Sequence, residues 1–536
     1  MDAKLTHFLR RDRPFVLPLV LAGAGFVWGL LLGRLSLLNA FLLVILTLST
    51  LGSLLEPLVG VGVALFLGPM WAWLRAELLQ VPPLIGQYVF LIAVAAWIGR
   101  GLVRRDLHVP FPPLLLPLLA FMGVALFSLW RPADTWIGLW EWAKWGQILL
   151  MFLLVFDRLQ GAGGRTRAIV MGSTLVGAGV FQALVGLWQF ALRGTGPDHF
   201  AIDERFYRAY GTFEQPNPFA GFLGMMGAIV AGMVLRWGWD WVATYGSWLV
   251  GWGLRGVGLK SEIQSPKPRR KYSVSRIPCS VSRGTQFVFV ITATAVICAG
   301  IAASWSRGAW MGFGAALLTV AAALPRRGMW GILLVALLVV GGLGLYSAGL
   351  LPSAVASRLT GFLAYTRFED VRGAGINDAN FAVLERMAHW QAALDMWRAN
   401  FWLGVGFGCY EPAYPTYRLI NWPYALGHAH NYYLNLLAET GVLGLAAYLV
   451  FLGNIFLGLW RVSRRSVGWM RGIALGLIGA WTHLLVHNFV DNILVNNVHL
   501  HLGVMLALSA WLVHNNEAGT RDIFSVSSLT RNRKDA

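Results

Sequence analysis

"HAHNYYLNLLAETGVLGLAAYLVFLG", residues 428–453, opens polar and ends apolar. Its first half holds His428, His430, Asn431, Tyr432, Tyr433 and Glu439, whereas from Val442 onward Tyr448 alone carries a hydrogen-bonding side chain. The apolar part runs on to about residue 460, and a helix of about 20 such residues crosses a bilayer's hydrocarbon. Comparable runs recur at 15–33, 36–54, 57–75, 84–100, 111–130, 138–157, 168–192, 217–236, 286–304, 308–324, 328–349, 433–460, 470–487 and 495–514. With 57% hydrophobic and 13% charged residues over 536 positions, the composition exceeds the apolar share usual in soluble domains. The sequence therefore predicts an all-α, polytopic integral membrane protein with about 12–14 transmembrane helices and one large external loop.

The formal charge of +18 is explained by topology, because cytoplasmic loops of membrane proteins collect Lys and Arg, so nucleic acid is not an expected partner. Arg10, Arg11 and Arg13 place the N-terminus inside, and the run after them lacks a small-residue cleavage site, which makes it a retained first helix. Arg100, Arg104 and Arg105, then Arg158, Arg165 and Arg167, then Arg326 and Arg327 fall on the same side, as do Arg461, Arg464, Arg465 and Arg471 and the C-terminal Arg531, Arg533 and Lys534. The Trp-rich 237–255 reads as an interfacial stretch leading into a basic loop with Lys267, Arg269, Arg270 and Lys271, although a second spanning pair there also fits. Cys279, Cys298 and Cys409 fall in three different compartments and make no disulfide framework.

This parity divides the chain into an N-terminal bundle (1–192), an external loop and helix (193–236), the interfacial and basic segment (237–285), a helical block (286–349), a large external loop (350–432), C-terminal helices (433–514) and a cytoplasmic tail (515–536). Within the large loop, "VLERMAHWQAALDMWRAN" at 383–400 has an apolar stripe of Leu384, Met387, Ala388, Ala392, Leu394 and Trp397, which predicts an amphipathic helix over the membrane face. An outer loop of this length is usually functional.

Three polar segments then meet on the outer side: 193–216, the turn "SWSRGAW" at 304–310, and the large loop. They carry Arg208, Arg307 and His430, each at the end of a membrane helix. An arginine there commonly snorkels to the interface, and a histidine commonly caps; the joint appearance of all three in Gly, Asn or Pro turns points further. Transfer from a lipid-linked diphosphate needs fixed cations where charge grows on the leaving phosphate, a role the arginine fork suits, and a base near neutral pH for the acceptor hydroxyl, which imidazole supplies.

"RAYGTFEQPNPFAGFL" (208–223), "SWSRGAWMGF" (304–313), "LERMAHWQAALDMWRANFWLGVGFG" (384–408) and "HAHNYYLNLLAETGVLGLAAY" (428–448) together resemble the O-antigen ligase and O-antigen polymerase-related membrane glycosyltransferases, over roughly 200–500. The resemblance implies a GT-C-like architecture in a bacterial inner membrane, both termini cytoplasmic and the active site on the outer face. It implies a metal-independent enzyme, without cofactor, that moves a glycan from undecaprenyl diphosphate to a lipid or glycan acceptor hydroxyl. Arg208 and Arg307 resemble the diphosphate-binding arginines, His430 the histidine that activates the acceptor, and Arg386 a loop arginine that precedes a Trp in relatives. His428, Asn431, Tyr210 and Asn217 are candidates for substrate binding, with His428 a competing base; Glu439, His487 and Asp491 are candidate supports. A polymerase of the same family is the first alternative.

A second cluster, "WTHLLVHNFVDNILVNNVHLH" at 481–501, places His483, His487 and Asp491 on one helical stripe with His499 and His501 nearby. Imidazoles so spaced bind transition metals or relay protons, and would make the chain an inorganic-carbon or other small-solute transporter. His499 and His501 cannot share a helical face, no cysteine completes a ligand set, and no inverted repeat is evident, so the cluster is expected to support the outer site.

Overall fold

The structure, a computed structural model, describes residues 16–77, 84–202, 206–256, 283–360, 370–377 and 380–531. Among them there is no strand, only an isolated bridge between Ala201 and Tyr207, and the chain is an all-α polytopic membrane protein. Ten helices are long and apolar enough to cross a membrane, and two shorter apolar helices, Asn39–Leu55 and Leu115–Trp130, accompany them.

The helices in chain order are α1 (Val16–Arg34), α2 (Leu37–Leu55), α3 (Pro57–Leu67), α4 (Trp71–Glu77), α5 (Ile85–Arg104), α6 (Leu115–Phe127), α7 (Thr135–Arg158), α8 (Gly164–Ala191), α9 (Pro216–Gly256), α10 (Arg283–Ala303), α11 (Arg307–Ala323), α12 (Gly328–Ser347), α13 (Ser353–Thr360), α14 (Phe381–Ala399), α15 (Tyr410–Tyr417), α16 (Tyr432–Arg465), α17 (Gly468–His487) and α18 (Val498–Arg531). Local chemistry sets several ends. Glu56 breaks the backbone between α2 and α3, and Pro57, which has no N–H to lose, starts the next helix. The Asp134 carboxylate accepts from the N–H of Ile137 and starts α7 three residues before the predicted position.

The stretch expected at the interface, 237–255, continues α9 without a break to Gly256, and the Arg236–Asp240 ion pair spans one turn of it. Cys279 lies outside the described residues; Cys298 and Cys409 are free thiols. The large loop expected at the outer face holds, among the described residues, three helices rather than one: α13, α14 and α15. On α14 the buried positions are Leu384, Met387, Ala388, His389, Ala392, Ala393 and Met396, so Leu394 and Trp397 give way to His389 and Met396 on the packed face.

The centre of the bundle is α9 against α17 and α11, and small residues allow it. Gly232 and Gly476 meet backbone to backbone, with no room for a Cβ on either. Higher up, the buried His483 ring fills the space beside Gly224 on α9 and Gly312 on α11; one turn later His487 sits beside Gly221 and Gly308 in the same way. The Val498–Glu517 part of α18 is largely buried, whereas α12 is almost wholly exposed along its length.

α16 carries one defect that anchors the outer loop. Gly441, at φ 62 and ψ −166, breaks the helical ladder, so that the carbonyls of Ala438 and Glu439 accept instead from the N–H groups of Val405 (2.9 Å) and Gly406 (3.0 Å). A side chain at 441 would strike the Trp402 backbone. The loop before α15 is thus fixed to a membrane helix by backbone bonds.

Candidate functional site

The turn between α10 and α11 is built first. Trp305 takes a left-handed conformation, φ 50, which ends α10, and Arg307 then becomes the first residue of α11. The Ser304 hydroxyl accepts from Ser306 N–H at 3.1 Å, and the Trp310 indole donates to Ile301 carbonyl at 3.1 Å. Along this turn lies the 206–209 segment, where Ala209 N–H donates to Ala303 carbonyl. Arg208 is held by its Nε on Ser304 carbonyl (2.9 Å) and its Nη2 on Asn217 Oδ1 (3.2 Å); the same Asn217 oxygen accepts from Ser306 Oγ at 3.0 Å.

A cavity of about 330 Å³ opens over this turn, lined by Arg208, Arg307, Arg358 and Arg386 together with Asn217, His487 and Asp491. Arg358 comes from α13 and donates through Nε and Nη2 to Trp305 carbonyl at 3.2 and 3.0 Å. Burial, then repulsion from Arg358, Arg307 and Arg386, pushes Arg208 down to about 10, so it remains a cation at neutral pH. Arg358 is lowered by burial and then by Arg386. Among the described residues, four guanidinium groups and one carboxylate line this pocket, which also borders the first turn of α11, an arrangement that favours an anion.

That carboxylate, Asp491, leads to the histidines. Its Oδ1 stands 3.8 Å from Nε2 of His428 and 3.8 Å from Nδ1 of His430. Burial acts to raise the Asp491 carboxyl, but His430, His428 and His487 outweigh it and hold the group well below the usual carboxylate range. Burial, then His430, pushes His428 down to about 4. The His428 Nδ1 accepts from His430 N–H at 3.0 Å, whereas both ring nitrogens of His430 are buried with no hydrogen-bond partner, its Nδ1 turned to Asp491 at 3.8 Å and its Nε2 turned away. His430 itself sits at φ 50, behind the cavity wall rather than in it.

Of the residues singled out in the sequence, Arg208, Arg307, Arg386, Asn217, His487 and Asp491 line this one cavity, and His428 and His430 adjoin it through Asp491. Three others stand apart. Asn431 caps α16, accepting from Tyr433 and Leu434 N–H at 3.0 Å. Tyr210 accepts from Arg193 at 2.7 Å and packs on Phe200. Glu439 accepts from Tyr410 N–H at 3.2 Å and belongs to the loop anchor.

Two residues enter the site unforeseen. Arg358 sits in an ordinary "SAVASRLT" stretch with no motif around it. His389, one residue before Trp390, is buried with its ring 5.6 Å edge-on to His430, its Nδ1 2.9 Å from the Tyr410 hydroxyl and its face stacked on Tyr414. Burial, followed by His430 and His428, pushes it down to about 4. The only signal for it was an imidazole next to the predicted stripe.

The cluster weighed as a metal site divides, with the His483 and His487 rings 5.5 Å apart and His499 and His501 turned to other partners. His499 meets Gln147 at 3.0 Å, His501 meets the edge of Phe222, and His483 is enclosed by glycines. Among the described residues, the group whose ligand-type atoms lie within 4.8 Å of one another is instead His428, His430 and Asp491.

The fold and cavity define a helical membrane protein with a cationic, histidine-flanked pocket at one end of the bundle. Residues 291–449 match the O-antigen ligase family, a similarity over that part of the chain that supports a function of ligase or polymerase type. The matched stretch contains Arg307, Arg358, Arg386, His389 and His430. No curated protein matches the chain. The family implies lipid-linked glycan substrates, and nothing in the match favours a transporter.

Proposed function

We propose that this chain transfers a glycan from a polyprenyl diphosphate carrier, undecaprenyl diphosphate by family resemblance, to an acceptor hydroxyl at the outer face of a bacterial inner membrane. The observation that carries this reading is that Arg208, Arg307, Arg358 and Arg386 line one cavity, with Asp491 between that cavity and His430. The diphosphate sits among the arginines, and its lipid tail leaves toward the bilayer. The acceptor oxygen forms a bond to the anomeric carbon as the bond from that carbon to the phosphate oxygen breaks; the acceptor proton goes to Nε2 of His430, and the departing charge is neutralised by the guanidinium groups.

His430 is favoured over His428 as base because its Nε2 has no partner, while the carboxylate on Nδ1 stabilises the imidazolium that forms. His428 already accepts a backbone N–H and cannot take up a proton without losing that bond. No step is assigned to a metal. Deleting the gene tests the reading: long undelivered lipid-linked chains support a ligase, a single uncapped repeat supports a polymerase, and an unchanged lipid-linked pool removes both.

A further inference from the structure

α8 ends beside the arginine cavity, where Gln189 accepts from Tyr210 and Gly211 N–H, and it begins at Gly164, about 40 Å away along a helix of 28 residues. At that far end a second cavity of about 260 Å³ is lined by Arg100, Arg104, Arg158, Asp106, His108 and Asp157. Of its two acids Asp157 is engaged, and Asp106 makes no ion pair with these arginines among the described residues. Asp157 accepts from the Trp97 indole at 2.8 Å and faces His108 at 3.1 Å, while Glu56 takes the fork of Arg158 at 3.0 and 2.8 Å.

Arg100 and Arg104 remain, one turn apart on the same face of α5, a spacing at which like charges repel. Arg100 reaches Leu55 carbonyl, and no polar partner is recorded for Arg104 among the described residues. On the other side of the Glu56–Arg158 pair lies an apolar groove of about 610 Å³, walled by Leu58, Val59, Val63, Phe66, Val170 and Met171, with Arg167 at its polar end. Arg167 donates to Arg158 carbonyl at 3.0 Å, so the two spaces meet at one point.

From this juxtaposition we infer that the far end of the bundle is a binding site for an anionic phospholipid, its phosphate on Arg100 and Arg104 and one acyl chain in the groove between α3 and α8. Basic residues at the edge of a membrane attract anionic headgroups, and here an apolar channel continues from them. The inference is independent of the glycan reading and does not use its residues.

The purified full chain is mixed with dioleoylphosphatidylglycerol, dioleoylphosphatidylcholine or inorganic phosphate, and lipid retention is followed by native mass spectrometry alongside the melting temperature. Phosphatidylglycerol is expected to be retained and to raise the melting temperature more than phosphatidylcholine, with no effect of phosphate. Arg100→Gln with Arg104→Gln should cut the preference for phosphatidylglycerol by about tenfold. Gly62→Phe should lower retention of both lipids, because a Cβ at Gly62 meets nothing closer than Thr174 Cγ2 at 3.8 Å and the ring would grow into the groove. Equal retention of the two lipids, a full shift with phosphate alone, or a preference unchanged in the double variant overturns the proposal. Should the double variant not fold, the wild-type comparison of the three probes decides by itself.

Discussion

Nδ1 of His430 and Nε2 of His428 face the same carboxylate oxygen, Asp491 Oδ1, each from 3.8 Å. One carboxylate thus faces two imidazoles, yet only His428 has a ring nitrogen already occupied by a hydrogen bond, from the His430 N–H. The asymmetry decides which ring can accept a proton, and with it the expected order of the mutants.

His430→Ala should lower glycan transfer by about 10²–10⁴-fold, and Asp491→Asn by a comparable factor, since the amide can no longer stabilise an imidazolium. His428→Gln should lose far less. Initial rates with a purified lipid-linked donor give the comparison; an equal loss for His428 and His430 would remove the distinction between them. Dialysis against a chelator should leave the rate unchanged, whereas a loss restored by zinc would reassign the His428, His430 and Asp491 group to a metal.

Arg358 provides a test of the cavity itself, because the motifs that suggested the function do not include it. Arg358→Ala should reduce transfer by about 10²–10³-fold, the usual effect of losing one preorganised donor at a developing negative charge. Arg358→Lys should recover little, since two of the three guanidinium nitrogens hold Trp305 carbonyl in a fork that a single ammonium cannot copy while it also lines the cavity. A melting temperature close to wild type shows that the loss is not one of folding. Full activity in the alanine variant would exclude Arg358 from phosphate binding.

The depressed histidines couple stability to pH. His389 and His428 both titrate near 4 in the folded chain, against an ordinary value of 6.5. Between those values the unfolded chain binds protons that the folded chain does not, so stability rises with pH across that window. Their contribution is complete above about 6.5 and is lost as pH falls toward 4. Thermal melts in detergent from pH 7.5 to 4.5 should show the fall, and His389→Gln, which keeps a polar group near Tyr410 but does not titrate, should flatten it. An unchanged slope in that variant would leave His389 with no part in the effect.

Much of this architecture could be read from the chain, because a spanning helix announces itself by an apolar run of fixed length, and the observed helices start within a few residues of the runs, although α9 and α18 continue well past the ends of theirs. The polar types of the site were legible too: Arg208, Arg307, Arg386 and Asp491 line one wall. What a motif does not carry is the direction in which a side chain points. Asn431 turns back to cap its own helix and Glu439 turns to the loop at Tyr410, although both stand in the same motif as His430. Nor does it carry partners distant in sequence. Arg358 is brought in by the carbonyl of Trp305, 53 residues earlier, and no local pattern encodes that contact.

The same holds for the glycines around His483, which look like ordinary small residues in apolar helices until α9, α11 and α17 are brought together. A Cβ at Gly224 would collide with the His483 ring, and one at Gly312 would stand 3.0 Å from its Nδ1, while a Cβ at Gly238, further along α9, meets nothing. The ring is fully buried and cannot swing into solvent to make room. Gly224→Ala should therefore destabilise the bundle by about 1–3 kcal/mol, the usual cost of overpacking, with Gly312→Ala milder and Gly238→Ala neutral. Because His487 follows His483 one turn on at the end of α17 and leads into the turn that carries Asp491, the Gly224 variant should also lose transfer activity in the fraction that remains folded. Melting temperatures of the three purified variants, measured beside their transfer rates, check both parts, and a Gly224→Ala protein as stable as Gly238→Ala would show that the three helices do not pack as closely as described.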